Sequence, residues 1–170
     1  MNIESYEVID NFLNNNEFEK LKEVLESPFF PWYFNETAVT LKEDYNLNNY
    51  QFTHGFYAKS EPISSFFNDV RPIINKINPK ALIRVKANLN TPTEKIFEHG
   101  YHIDYQNSEK NQKTAVFYLN DNNGLTIFED GTKVESVANR LLVFDTDLSH
   151  TGTTCTDKKR RIVINLNYFI

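Results

Sequence analysis

After Lys80 the hydrophobic period of this chain changes, and the change limits the folds open to it. From Ala81 onward the apolar residues fall in short, β-rich segments: Ala81 to Leu89, Tyr101 to Tyr105, Thr114 to Asn120, Leu125 to Glu129, Thr132 to Val137, Arg140 to Asp145 and Arg161 to Phe169. Turn signals separate them at Asp121-Asn122-Asn123-Gly124, Asp130-Gly131 and Asp157 to Lys159. Many short strands following two helices predict an antiparallel sandwich or jelly roll with a helical N-terminal support.

The first 80 residues carry the support. Residues 5–13 read as a short strand running into a turn. Asn14, Asn15 and Asn16 offer helix caps, because a short amide side chain can accept from an orphan backbone N–H. Phe18, Leu21, Val24 and Leu25 follow at helical spacing, and Ser27-Pro28 ends that helix. The apolar cluster Phe29 to Phe34 is read as core, with a pocket wall as the alternative. Residues 35–50 read as a polar, Asn-rich loop that could serve as a flap, and Gln51 to Ala58 as a strand. Pro62 is placed like a first-turn proline, with Ile63, Phe66, Phe67, Val70, Ile73, Ile74 and Ile77 continuing at helical spacing. Pro72 should kink or divide this helix, and Asn78-Pro79 should end it. The expectation is one domain over residues 1–170, mainly β with N-terminal helices, in which 1–80 support a jelly-roll core at 81–170.

Composition narrows the function classes. A net charge of −5 and the lack of a basic stripe argue against nucleic acid as a partner, and Lys158 to Arg161 is only a local cluster. The single cysteine, Cys155, rules out an internal disulfide and favours a reducing, cytoplasmic setting. Neither a signal peptide nor an apolar run of membrane-spanning length is expected.

Only four histidines are available: His54, His99, His102 and His150. His102 and Asp104 stand two apart on an extended segment, so their side chains project to the same side. His150 follows the buried-looking strand Leu141-Leu142-Val143-Phe144. Two imidazoles and one carboxylate on one face form the ligand set of non-haem Fe(II) oxygenases, which leaves the opposite metal positions open. Surface placement of all three is the plain alternative. His99 should face away from His102 and lie at the surface or on the substrate side. His54 has no acidic partner at ligand spacing, and Cys155 no paired histidine, so both read as structural.

In this order and spacing the motifs resemble the Fe(II)- and 2-oxoglutarate-dependent dioxygenases, in particular the prolyl-4-hydroxylase-like branch and its small viral and marine microbial members. The resemblance rests on His102-Ile103-Asp104; on Tyr118-Leu119-Asn120 followed by Gly124 to Phe128; on Leu141 to Phe144 leading to His150; and on Arg161-Ile162-Val163-Ile164-Asn165. The opening Tyr6 to Leu13 is also similar to that family's lead-in. It implies a double-stranded β-helix (jelly roll), Fe(II) held by His102, Asp104 and His150, and 2-oxoglutarate as co-substrate. It further implies that Arg161 pairs with the far carboxylate of 2-oxoglutarate and that Tyr118 donates its hydroxyl there. Arginine suits that task because its planar fork matches a carboxylate.

The sequence departs from the family pattern in three places. Asn123-Gly124 stands where a glycine pair is usual, Leu89 falls near the position of a family tyrosine, and the step from His150 to the arginine is slightly long. The last makes Arg160 a competitor. With Arg161 inward, Val163, Asn165 and Asn167 share its face; with Arg160 inward, Ile162, Ile164 and Leu166 do. The family's inward face is mixed polar and small, which favours Arg161.

The implied reaction is hydroxylation of an unactivated C–H, with O₂ consumed and succinate and CO₂ released. Its substrate would be a peptidyl proline, another peptide or a small molecule. The alternatives are a non-catalytic cupin-like binding module and a metal enzyme that does not use 2-oxoglutarate. Residues 35–50, 91–99 and 106–113 are the candidate gates.

Overall fold

The computed structural model describes residues 6–39, 46–105 and 111–170. In chain order the elements are β1 (Tyr6–Ile9), α1 (Asn15–Glu26), β2 (Tyr33–Asn35), β3 (Gln51–Ala58), β4 (Glu61–Pro62) and α2 (Phe67–Ile77). They are followed by β5 (Ala81–Asn90), β6 (Gln112–Tyr118), β7 (Asn122–Phe128), β8 (Lys133–Ser136), β9 (Arg140–Asp145), β10 (His150–Gly152) and β11 (Arg161–Phe169).

Two antiparallel sheets face one another. The larger runs β1-β9-β6-β11-β5-β3-β2, with β4 added to β3, and the smaller runs β10-β7-β8. This is the predicted jelly roll, mainly β with helices near the N-terminus. Among the described residues no helix is long and apolar enough to cross a membrane.

Alternation along the strands divides the interior. On β11, Ile162, Ile164 and Leu166 join Phe117 and Leu141 in a core under the two helices, closed by Leu21, Leu25, Val70 and Ile73. Val163 points the opposite way and packs with Val116, Tyr118, Phe128 and Phe144 between the sheets. Tyr168 continues that alternation into the helix-side core, past a register shift at Asn167/Tyr168 in which β5 carries the extra residue.

Helix α1 starts as its sequence predicts, with the Asn14 side chain accepting from the Glu17 N–H. Helix α2 differs at its start: Pro62 lies in β4, paired with Tyr57, and the helix begins only at Phe67. The apolar period that suggested an earlier start is instead used by the sheet edge. Pro72 does not divide α2, and Asn78 ends it in the left-handed region at φ 54°. The Phe29–Phe34 cluster is not one core: Phe30 is buried, but Phe29 is 90% exposed and Tyr33 and Phe34 are also exposed. Short β2 sits at the sheet edge, so its side chains have only one covered side. The possible gates at 35–50 and 106–113 fall partly outside the described residues.

Candidate metal and co-substrate site

The site is assembled by one antiparallel bridge. His102 and His150 donate their backbone N–H groups to each other's carbonyls at 2.9 and 3.0 Å. Residues that exchange both bonds stand directly opposite, with side chains on the same face. Their imidazole centroids are accordingly 4.6 Å apart. Asp104 turns back beside them, its Oδ1 3.6 Å from His102 Nε2. One ligand atom from each of His102, Asp104 and His150 lies within 4.8 Å of the others, and this is the one such group found among the described residues. Tyr101 to Tyr105 is not a regular strand, since only His102 pairs, but the same-side placement of His102 and Asp104 is present.

The Asp104 carboxylate is held by three neighbours the sequence reading did not single out for this role. Asn167 Nδ2 donates to Oδ2 at 2.8 Å, Thr114 Oγ1 to Oδ2 at 3.3 Å, and Arg84 meets Oδ1 at 3.4 Å. Burial by itself would raise this carboxyl, but His102, Arg84, His150 and Asn167 more than offset it, and its pKa lies well below the usual range. The His150 Nδ1 faces the Leu148 carbonyl at 2.9 Å, which turns Nε2 to the other two donors. Burial lowers the His150 pKa, so the ring is neutral near pH 7, the form that binds metal.

Arg161 lies in the same cavity, of about 330 Å³, and is 3% exposed. Its Nε donates to Ser136 Oγ at 3.0 Å, and one terminal nitrogen to the Leu125 carbonyl at 3.3 Å and Thr126 Oγ1 at 3.4 Å. Among the described residues no carboxylate pairs with it. Gly124 leaves the space its side chain needs: a Cβ there would lie 2.5 Å from Arg161 Cδ. Arg160 points outward to Glu26 at 3.3 Å. Arg161, Val163 and Asn165 line the cavity together, the face expected for the Arg161 register.

Tyr118 is fully buried behind Arg161, its ring 5.8 Å from the guanidinium carbon. Its hydroxyl donates to Thr126 Oγ1 at 2.7 Å, and it is Thr126 that lines the cavity.

His99 is buried and lines the cavity with His102, which is the substrate-side placement; it is neither at the surface nor turned away from His102 as alternation predicted. Gly100 at φ 102° breaks the alternation that would have separated the two. Asn90 Nδ2 donates to His99 Nε2 at 3.0 Å, which leaves Nδ1 buried with no partner among the described residues. Burial, with the charges of Arg161 and His102, lowers its pKa to about 4. His54 is structural as expected: it bridges the Pro31 carbonyl and Ser64 and packs against Phe30 and Phe56. Cys155 is buried, and that burial pushes its thiol pKa up.

Strand β5 supplies Arg84, Lys86, Asn88 and Asn90 to the cavity floor. Leu89, where the family tyrosine would fall, packs on the helix-side core. The signal was present in the sequence: every second residue from Arg84 to Asn90 is polar, between Val85, Ala87 and Leu89. Such a strand has a wet face that belongs to a pocket.

The donor set and the unpaired guanidinium suit an iron ion and a dicarboxylate. Residues 90–169 match the family profile of the 2OG-Fe(II) oxygenase superfamily. None of the curated proteins matches this sequence. Among solved structures, the chain resembles a prolyl hydroxylase from Trichoplax adhaerens in complex with a hypoxia inducible factor peptide fragment. That alignment has TM-score 0.68 and 14% identity, over 99% of this chain and 84% of the other. It also resembles a Pseudomonas putida prolyl-4-hydroxylase, with TM-score 0.61 and 13% identity over 98% and 93% of the two chains. A third neighbour is SnoN, a non-haem α-ketoglutarate-dependent epimerase from nogalamycin biosynthesis, with TM-score 0.67 and 12% identity over 97% and 77%. Residues 90–169, which contain the His-Asp-His group and Arg161, are thus the part of the chain that is similar to the 2OG-Fe(II) oxygenase superfamily.

Proposed function

We propose that this oxygenase hydroxylates an unactivated C–H of a peptide or small molecule, converting 2-oxoglutarate and O₂ to succinate and CO₂. One oxygen atom of O₂ enters the product alcohol and the other enters succinate. His102, Asp104 and His150 would hold Fe(II), and Arg161 would hold the far carboxylate of 2-oxoglutarate. The observation that carries this reading is the buried Arg161 guanidinium, which faces the cavity of the His-Asp-His group and, among the described residues, meets only neutral acceptors. A buried cation without an anion is costly, and a dicarboxylate supplies the missing charge.

Iron with 2-oxoglutarate supplies the oxidising power, and the protein supplies position and shelter. Asn167, Thr114 and Arg84 fix the Asp104 carboxylate so that it meets the metal without rearranging. Phe144 stands edge-on to the His150 ring at 4.7 Å and shields it from water. Tyr118 acts on the co-substrate through Thr126 and Arg161, since its hydroxyl is already bonded. His99 Nδ1 is a further buried donor on the same side as Arg161.

Prolyl hydroxylation of a peptide is the first substrate to test, because two of the neighbours are prolyl hydroxylases. SnoN warns against stopping there, since its name describes an epimerase. The test is succinate formation from 2-oxoglutarate, with and without Fe(II). Iron-dependent succinate and saturable 2-oxoglutarate binding are expected. Absence of both would sink the oxygenase reading in favour of a cupin-like binding module or a metal enzyme of another kind.

A further inference from the structure

We infer that the substrate carries an oxyanion, a carboxylate or a phosphate, which Lys86 receives beside the metal group. The inference rests on the oxygenase reading above and names the substrate class of that site.

The cavity floor is the β5–β11 ladder. Asn90 stands opposite Arg161, Asn88 opposite Val163, Lys86 opposite Asn165, and Arg84 opposite Asn167. Lys86 and Asn90 are four positions apart, roughly 13 Å of backbone at about 3.3 Å per residue. Arg161 and Lys86 are therefore set toward opposite ends of the floor. Arg161 takes the co-substrate. Arg84 is already engaged by Asp104 and by Asn167, to which its Nε donates at 3.1 Å.

Lys86 is left over. It lines the cavity, yet among the described residues it has no hydrogen bond and no ion pair. Burial, with the neighbouring Arg84 charge, lowers its pKa to about 8, so the ammonium form still prevails near pH 7. Across the ladder, Asn165 Oδ1 is buried with no partner among the described residues, and so is Asn88 Oδ1 beside it. A wholly apolar substrate group seated here would strip water from an unpaired ammonium and from two orphan carbonyls. An oxyanion next to an O–H or N–H donor satisfies all three. Lysine suits this role as a point charge that accepts either carboxylate or phosphate.

The test uses the protein loaded with Zn(II) and saturating 2-oxoglutarate, so that Arg161 is occupied. Acetate, inorganic phosphate and the neutral acetamide are titrated while backbone amides are followed by NMR. Acetate or phosphate should shift amides around Lys86, and acetamide should not. Lys86→Met should weaken anion binding at least tenfold, and Lys86→Arg should restore it. Should Lys86→Met fail to fold, the acetate–acetamide contrast and Lys86→Arg decide the matter. A second arm measures iron-dependent succinate release with free L-amino acids against their carboxamides, and glycerol 3-phosphate against glycerol. Stimulation by the charged member of either pair supports the inference and identifies the anion. Equal response to charged and neutral probes, or anion binding unchanged in Lys86→Met, overturns it. Wild-type succinate release without added substrate is the control: if it is present, only the Lys86 inference falls with such a result. If that release and 2-oxoglutarate binding are both absent, the oxygenase reading fails and takes this inference with it.

Discussion

His102 and His150 are joined by both of their backbone hydrogen bonds, at 2.9 and 3.0 Å, so the two imidazoles are set side by side by main-chain geometry before any metal arrives. A site built this way is pre-organised, because neither ring must search for its partner. Replacing His150 with alanine removes a proposed metal ligand and leaves the backbone bridge. The variant should keep its melting temperature within a few degrees, lose tight metal binding by calorimetry and lose iron-dependent succinate release. Retained turnover would overturn the ligand assignment.

Arg161 and Arg160 should separate cleanly. Arg161→Met should raise the 2-oxoglutarate KM at least tenfold, as loss of a charge-assisted bond of about 1.5–3 kcal/mol implies. Arg160→Ala breaks only the partly exposed pair with Glu26, and should change neither that KM nor stability beyond about 0.5 kcal/mol. Steady-state kinetics and urea melts of both variants check this.

Gly124→Ala tests the packing around the same arginine. Its Cβ would lie 2.5 Å from Arg161 Cδ and 2.9 Å from the Thr154 carbonyl oxygen. The backbone oxygen cannot swing away, so Arg161 must move. A stability loss of about 1–3 kcal/mol and a raised 2-oxoglutarate KM are expected, measured by thermal melts and kinetics.

His99 makes stability depend on pH. Its pKa is about 4 in the folded chain, against 6.5 ordinarily. Between those values the unfolded chain binds more protons, so stability falls as pH drops from about 6.5 towards 4. The shift corresponds to about 3 kcal/mol at full extent. His99→Gln should flatten that part of the curve in urea melts run from pH 4 to pH 7.

Asn139 is a structural control that does not line the cavity of the metal group. At φ 61°, its side chain both accepts from the Leu13 N–H at 2.8 Å and donates to the Leu13 carbonyl at 2.9 Å. Asn139→Ala leaves both groups unpaired and strains the backbone, costing about 2–4 kcal/mol. Stability should fall while the 2-oxoglutarate KM of the folded fraction stays constant.

Much of this protein was legible from residues 81–170 alone. Short β-rich runs between turn signals located strands such as Arg140–Asp145 and Arg161–Phe169 to the residue, because β-branched and aromatic residues bounded by turn formers favour an extended chain that can cover a core. Alternation grouped Arg161 with Val163 and Asn165, and the spacing of His102 and Asp104 put both on one side. Local pattern failed where long-range contact or a single backbone angle decides. Gly100 rotated His99 into the cavity, the β3–β4 pairing captured Pro62, and the sheet edge left Tyr33 and Phe34 in water. Tyr118 was placed next to Arg161, but only the cross-sheet approach of Thr126 determined where its hydroxyl points. The polar face from Arg84 to Asn90 was written in the sequence, but only the β5–β11 register made it the cavity floor and left Lys86 without a partner among the described residues. Alternation in a sequence determines which side chains share a face. Which faces then meet, and which charges are left without a partner, is set by pairing between strands distant in the chain.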